Sequence, residues 1–142
     1  MPRRSRTLAQ RVSIGLGVFF LVNGIIGLII NPDFGTGSEL SSKQFLVDWN
    51  GWHAVSALAL APIALAAAAH RRSAMVFLAG NTIGNVAESV WSVIDRTPLG
   101  LLYFPNVATD VALHLSVAGV SLAAFLAQLA RHRGPAPHPI GA

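Results

Sequence analysis

The sequence contains no cysteine and very little charge. The absence of cysteine excludes disulfide bonds, thiolate metal sites and thiol redox chemistry. Charged residues make up 11% of the 142 residues, and hydrophobic residues make up 53%. A typical soluble domain is about 25% charged. A chain with so little to present to water is expected to present its surface to the lipid bilayer, and its length predicts a single domain.

Nucleic-acid binding and enzymatic motifs are also missing. The formal net charge is +4, but the basic residues stand in short groups between apolar runs, whereas a nucleic-acid-binding protein concentrates them on one exposed face. The sequence has no G-x-S-x-G, no H-E-x-x-H, no P-loop and no dinucleotide-binding fingerprint. We therefore expect no nucleic-acid partner, no enzymatic activity and no cofactor.

Four apolar runs are long enough to cross a hydrocarbon core of ~30 Å as helices. They cover residues 12–30, 51–69, 73–94 and 107–130. Only the link His70-Arg71-Arg72 separates the second run from the third, which predicts an antiparallel hairpin of neighbouring helices. The predicted fold class is all-α: an integral membrane four-helix bundle made of two antiparallel transmembrane hairpins.

The segments outside these runs carry weaker predictions. The bundle is expected to occupy residues 1–133, and the Pro- and Gly-rich tail 134–142 is expected to be disordered. The stretch "FLVDWNGW" at residues 45–52 is expected either to lie at the membrane interface or to extend the second helix.

The arginines predict the direction of the helices. They lie before the first run, between the second and third, and after the fourth: Arg3, Arg4, Arg6, Arg11, Arg71, Arg72, Arg131 and Arg133. The other two loops hold only Lys43 and Arg96 as basic residues. The positive-inside rule therefore places both termini in the cytoplasm. The predicted location is the cell membrane.

Polar residues interrupt the apolar runs in the half nearer the outer side. In "NTIGNVAESVW" (residues 81–91), two amides and a carboxylate share one helical face. Lipid is a poor environment for that face, so it is expected to point into the bundle. With polar residues of the other helices, the candidate cluster is Asn23, His53, Asn81, Asn85, Glu88, Asp110 and His114. Asp110 and His114 stand at i and i+4, where a hydrogen bond would orient the imidazole.

Three interpretations of this cluster are open. Polar side chains can hold helices together in lipid, which predicts a structural protein or an accessory subunit. Glu and His together can instead bind a ligand or cation or pass a proton, with His53, Glu88 and His114 as the candidate metal ligands. A bis-His haem between the second and fourth helices needs two facing histidines, and only that requirement supports it. The structural role is the one we expect.

Small residues predict close helix packing. Gly80 and Gly84 form a G-x-x-x-G pattern, and Gly24 and Gly27 mark a small face on the first helix. Packing within one chain is the expected use of these faces. The alternative is a homo-oligomer or a partner membrane protein that docks on the Gly80–Gly84 face.

Two motifs carry a resemblance to a known family. Asn50-Gly51-Trp52-His53 opens the second helix, and Asp110-x-x-x-His114 opens the fourth. The chain resembles, over about residues 16–126, the small four-span bacterial membrane proteins catalogued as domain of unknown function 4383. In that family Asn often follows the first His, and a second His often stands one turn later; here those positions are Ala54 and Ala57. The resemblance implies a four-span fold and no particular reaction.

Overall fold

The computed structural model describes residues 5–35, 43–45, 47–95, 97 and 107–131. In chain order their elements are α1 Leu8–Ile30, β1 Lys43–Phe45, β2 Val47–Trp49, α2 Gly51–Ala67, α3 Arg71–Ile94 and α4 Ala108–Ala130. The prediction of an all-α protein with four helices is confirmed. The predicted tail 134–142 and the residues Arg3, Arg4, Arg96 and Arg133 lie outside the described residues.

Side-chain caps set the starts of α1 and α2. Thr7 and Gln10 form a capping box, in which each side chain satisfies a backbone N–H of the other residue. The Asn50 side chain accepts a hydrogen bond of 2.8 Å from the His53 backbone N–H. Part of the N-G-W-H motif is therefore a helix start, which places His53 in the first turn of α2.

The segment before α2 does not extend that helix, so one of its two predictions is wrong, and its place at the membrane interface stays a prediction. β1 and β2 form an antiparallel pair in which Lys43 pairs with Trp49. The Asn50 cap gives α2 a defined first turn, and the Asn31 side chain at the end of α1 donates to the Trp49 carbonyl at 3.0 Å. Val47, Asp48 and Trp49 are consequently buried.

The helices form two close pairs, α1 with α2 and α3 with α4. In the first pair, glycines let the helices approach. A Cβ placed on Gly24 would lie 2.5 Å from Leu58 Cγ and 2.8 Å from the Ala54 carbonyl oxygen, and one on Gly27 would collide with the Trp49 ring. Close helix packing at the Gly24–Gly27 face is thus present within the chain.

The Gly80–Gly84 face does not pack against another helix of the described chain. The prediction that it packs within the chain is therefore wrong. A Cβ on either residue would meet nothing within 4 Å. Since both residues lie on the outward side of α3, the described part of the chain offers this face no neighbour. Periodicity identified the small face but could not show which helix, if any, covers it.

Helix α3 buries polar side chains and exposes apolar ones, which is the reverse of a helix in a water-soluble protein. Its buried residues include Asn81, Asn85, Ser89 and Ser92. Its exposed side chains include Ile83 and Ile94, at 70% and 79% exposure. Two of the described helices, α1 and α4, are long and apolar enough to cross a membrane.

Candidate functional site

His53 is held at the end of the bundle where α2 begins, by the backbone around it. Its side chain is buried, and its ring centroid lies 5.1 Å from that of Trp49. Its Nδ1 lies 3.2 Å from the Asp48 carbonyl oxygen. A carbonyl oxygen can only accept, so Nδ1 carries the hydrogen and donates it. In the neutral imidazole, Nε2 is then left as an acceptor.

His114 of α4 is oriented by α3 in the same way. Its Nδ1 lies 3.0 Å from Asn85 Oδ1 and 3.5 Å from Glu88 Oε2. The Asn85 amide nitrogen donates to the Asn81 carbonyl at 2.8 Å, which fixes the amide oxygen toward His114. His114 therefore also donates from Nδ1 and keeps Nε2 as an acceptor when neutral.

The two imidazoles lie face to face. Their centroids are 5.6 Å apart and their planes differ by 18°. Within the described part of the chain, neither Nε2 has a hydrogen-bond partner. A metal-binding histidine usually donates its other ring N–H to a carbonyl or carboxylate, and both histidines have such a partner.

A cavity of about 50 Å³ lies between α1, α2, α3 and α4 at this level. The rest of its lining is mainly apolar, including Phe19, Phe20 and Leu113, and its polar lining comes from Asn23, His53, Ser56, Asn85, Glu88 and His114. Asn23 donates from Nδ2 to the Phe19 carbonyl at 2.8 Å, so its oxygen is left as an acceptor. A water needs about 10–15 Å³ of such space, so the cavity can hold a few waters or a small ion.

A bis-His haem does not fit this arrangement. In a haem site the imidazoles approach the iron from opposite sides through a ring nitrogen, whereas here the rings stack on each other. The cavity is also sized for water molecules and not for a porphyrin. Among the described residues, no three His, Asp or Glu side chains are grouped closely enough to hold a metal ion.

Below the cavity the polar side chains satisfy each other. Asn81 donates from Nδ2 to Ser121 Oγ at 2.9 Å and accepts from the Asn85 amide at 3.2 Å. Ser121 in turn donates to the Val117 carbonyl at 2.8 Å. The sequence had not singled out Ser121, although it lies seven residues after His114 and so on the same helical face. This layer joins α3 to α4 through a direct hydrogen bond.

The expected hydrogen bond between Asp110 and His114 is wrong. Asp110 Oδ2 accepts from the Asp48 backbone N–H at 3.3 Å, and His114 has its partners on α3. The buried oxygens Asp48 Oδ1 and Asp110 Oδ1 have no partner within the described residues. A strand that the sequence did not predict brings Asp48 to this place, so its backbone N–H competes successfully for Asp110.

The fold and the site together define a small four-helix bundle with a polar, histidine-containing cavity near one end. Residues 10–127 match the family model described as Domain of unknown function (DUF4383). The match covers more than half of the chain, which therefore belongs to that family. No curated protein and no solved structure matches it.

Proposed function

We propose that the chain is an integral protein of the cell membrane that crosses the bilayer four times with both termini in the cytoplasm. The observation that supports this is the reversed polarity of the bundle. Large apolar side chains are exposed on all four helices, among them Ile29, Ile63, Ile83 and Val120. Ser, Asn and Gln side chains are buried between the helices. Lipid favours both features, and water favours neither.

The direction of insertion follows from the ends of the bundle. Arg6, Arg11 and Arg131 lie at the end that also carries the Arg71-Arg72 turn, and basic residues favour the cytoplasmic side. The histidine cavity then lies in the outer half. At 1.5 Å per residue, Glu88 is ~9 Å along α3 from its outer end.

Within this bundle we propose that the cavity handles a small cation. It is either a proton or a metal ion that the imidazoles bind and water molecules complete, since no three His, Asp or Glu side chains among the described residues are grouped closely enough to hold a metal ion by themselves. The polar atoms around the cavity are mostly acceptors: two imidazole Nε2 atoms and the Asn23 oxygen, which have no partner within the described residues, and the Glu88 carboxylate, which lies 3.5 Å from His114 Nδ1. The Ser56 hydroxyl also lines the cavity and can accept as well as donate. A carboxylate inside the membrane is costly unless a positive charge accompanies it. A protonated His114, or a cation at the Nε2 atom of either imidazole, would supply that charge in the same cavity as Glu88. We propose no chemical reaction for the cavity.

Metal binding tests this proposal. The full chain, purified in a mild neutral detergent, is dialysed against Zn²⁺ and then analysed for bound zinc. We expect one equivalent in the native chain and its loss in His53→Gln and His114→Gln. His70→Gln is the matched control, because His70 is exposed at the opposite end of α2.

The proton form of the proposal has its own readout. If no zinc binds, the ¹⁵N signals of His53 or His114 should titrate in the folded native chain, and Glu88→Gln should shift that titration. The cation proposal is overturned if zinc does not bind and neither imidazole takes up a proton before the chain unfolds.

A structural or accessory role is the second candidate function. The hydrogen bond from Asn81 to Ser121 supports it, because that layer is saturated and touches no cavity atom that is left without a partner. A partner could dock on the outward Gly80–Gly84 face, either as a second copy or as another membrane protein. Chemical cross-linking from Gly84→Cys, in a chain without other cysteines, tests for a second copy.

A further inference from the structure

A second and larger cavity lies at the other end of the bundle, between the start of α1 and the end of α4. Its volume is about 350 Å³. The polar side chains around it are Ser5, Arg6, Thr7, Arg11, Gln128 and Arg131. It shares no lining residue with the histidine cavity.

The charge around this cavity is of one sign. Three guanidinium groups line it, from Arg6, Arg11 and Arg131, and none of the lining residues is acidic. The first turn of α1 has no acidic residue either. Within the described residues, no carboxylate forms an ion pair with any of the three arginines. Each planar guanidinium can therefore give paired N–H donors to a tetrahedral oxyanion.

Two further groups point to an anion. The cavity includes the N-terminus of α1, where the helix dipole is positive. Gln128 is 5% exposed, and its Oε1 accepts the Ala9 backbone N–H at 3.4 Å. Its amide Nε2 has no partner within the described part of the chain. The cavity is thus lined by a buried amide donor that an oxyanion would satisfy.

We propose that this cavity binds a phosphate group, carried either by an anionic phospholipid or by a free phosphate ion. Arg6, Arg11 and Arg131 pair with its oxygens, and Gln128 Nε2 donates from the buried side. The bundle orientation proposed above puts the cavity at the cytoplasmic surface, where basic pockets between helices meet anionic headgroups. The site itself does not depend on the function of the histidine cavity.

The experiment measures phosphate binding by the full chain in a neutral, phosphate-free detergent. One arm titrates inorganic phosphate by calorimetry. The other arm counts retained lipids by native mass spectrometry after exposure to phosphatidylglycerol or phosphatidylcholine. Arg11→Gln and Arg131→Gln should each weaken binding about tenfold, as expected for the loss of one charge-assisted contact. Arg72→Gln is the matched control, because it removes an exposed arginine from the same end of the bundle but outside the cavity.

Gln128→Glu supplies a sharper variant. The carboxylate keeps an oxygen that can accept the Ala9 N–H, but it replaces the amide donor with a repelling oxygen. We expect binding to fall more than tenfold. If this variant does not fold, the two arginine variants decide the question alone.

Each outcome has a definite meaning. One phosphatidylglycerol per chain, lost in the cavity variants and not displaced by inorganic phosphate, identifies a lipid site. Stoichiometric inorganic phosphate with the same variant pattern and no preference for phosphatidylglycerol identifies a free-phosphate site. The proposal is overturned if neither probe binds, or if Arg72→Gln weakens binding as much as Arg11→Gln, since the interaction would then be general surface attraction.

Discussion

The two helix pairs of this bundle are held together by different means. The middle of the interface between α1 and α2 depends on shape, because Gly24 lies against Leu58 and the Ala54 backbone. The side-chain hydrogen bonds from Gln10 to the Ala68 and Ala69 carbonyls lie at the end of this interface. The interface between α3 and α4 depends on polar contacts, from Asn81 to Ser121 and from His114 to Asn85. The first interface leaves no space at Gly24 and Gly27, and the cavity lies between the two pairs.

This difference separates close packing from the capacity to bind a ligand. A close-packed interface tolerates added volume poorly, and at Gly24 and Gly27 it leaves no room for a ligand. A polar interface in lipid contributes only about 1 kcal/mol per contact, but it can present acceptors to a cavity. The histidine cavity accordingly lies where both pairs present polar side chains: Asn85, Glu88 and His114 come from α3 and α4, and Asn23, His53 and Ser56 come from α1 and α2.

The largest expected effect is at the shape-dependent interface. Gly24→Leu should lower the free energy of unfolding by about 3 kcal/mol, because the new side chain meets the Ala54 backbone, which cannot move unless α2 moves. Chemical or thermal unfolding in detergent measures it. Gly15→Leu on the same helix is the control, since a Cβ there meets nothing within 4 Å. Equal losses in both variants would show that the α1–α2 interface is not close-packed.

A smaller effect is expected at the polar interface. Asn81→Ala should cost about 1 kcal/mol, and a double-mutant cycle with Ser121→Ala should give a coupling energy of about 0.6 kcal/mol. Ser116→Ala serves as the control, because Ser116 is exposed and donates only to the Ala112 carbonyl of its own helix. A coupling energy of zero would mean that the hydrogen bond does not hold α3 to α4.

The open glycine face should respond in the opposite direction. Gly84→Ala is expected to raise the free energy of unfolding by up to roughly 0.8 kcal/mol, because alanine favours the helix and nothing nearby obstructs it. Unfolding is measured in parallel with the oligomeric state by analytical ultracentrifugation. Destabilisation together with loss of a dimer would contradict the expectation and show that a second copy covers this face.

The smallest effect on stability is expected at Glu88. Its side chain is 28% exposed, and Glu88→Gln keeps an acceptor oxygen for the His114 N–H, so unfolding should change by less than about 0.5 kcal/mol. Removal of its charge should nevertheless weaken zinc binding or shift the imidazole titrations. An unchanged cation response would remove Glu88 from the proposed pocket.

The sequence predicted the helices well because each is a long apolar run. The helical period also placed Asn85 and Glu88 on the face that meets His114. The helical period gave a wrong hydrogen bond where a residue from elsewhere in the chain is the actual partner. The i, i+4 spacing favoured a bond from Asp110 to His114, but Asp48 reaches Asp110 through a strand too short to show a periodic pattern.

The glycine faces show the same limit. Gly24 and Gly80 both belong to small-residue patterns in apolar helices, yet only Gly24 has a helix against it. The spacing of residues along the sequence identifies a small face on one helix. Whether another helix packs on that face depends on how the helices are arranged. The Asn50 cap is an intermediate case, because its residue type is typical of a helix start, whereas in the sequence it stands out as part of a family motif.

The contact between Trp49 and His53 gives the molecule an internal optical signal. The indole lies 5.1 Å from the imidazole, centroid to centroid, and its side chain is only 3% exposed. Any change in the charge or coordination of His53 alters the electric environment of a fluorophore that solvent barely reaches. With Trp52 and Trp91 replaced by phenylalanine, the emission of a single native tryptophan would follow the occupancy of the cavity in an intact bilayer, without an added label.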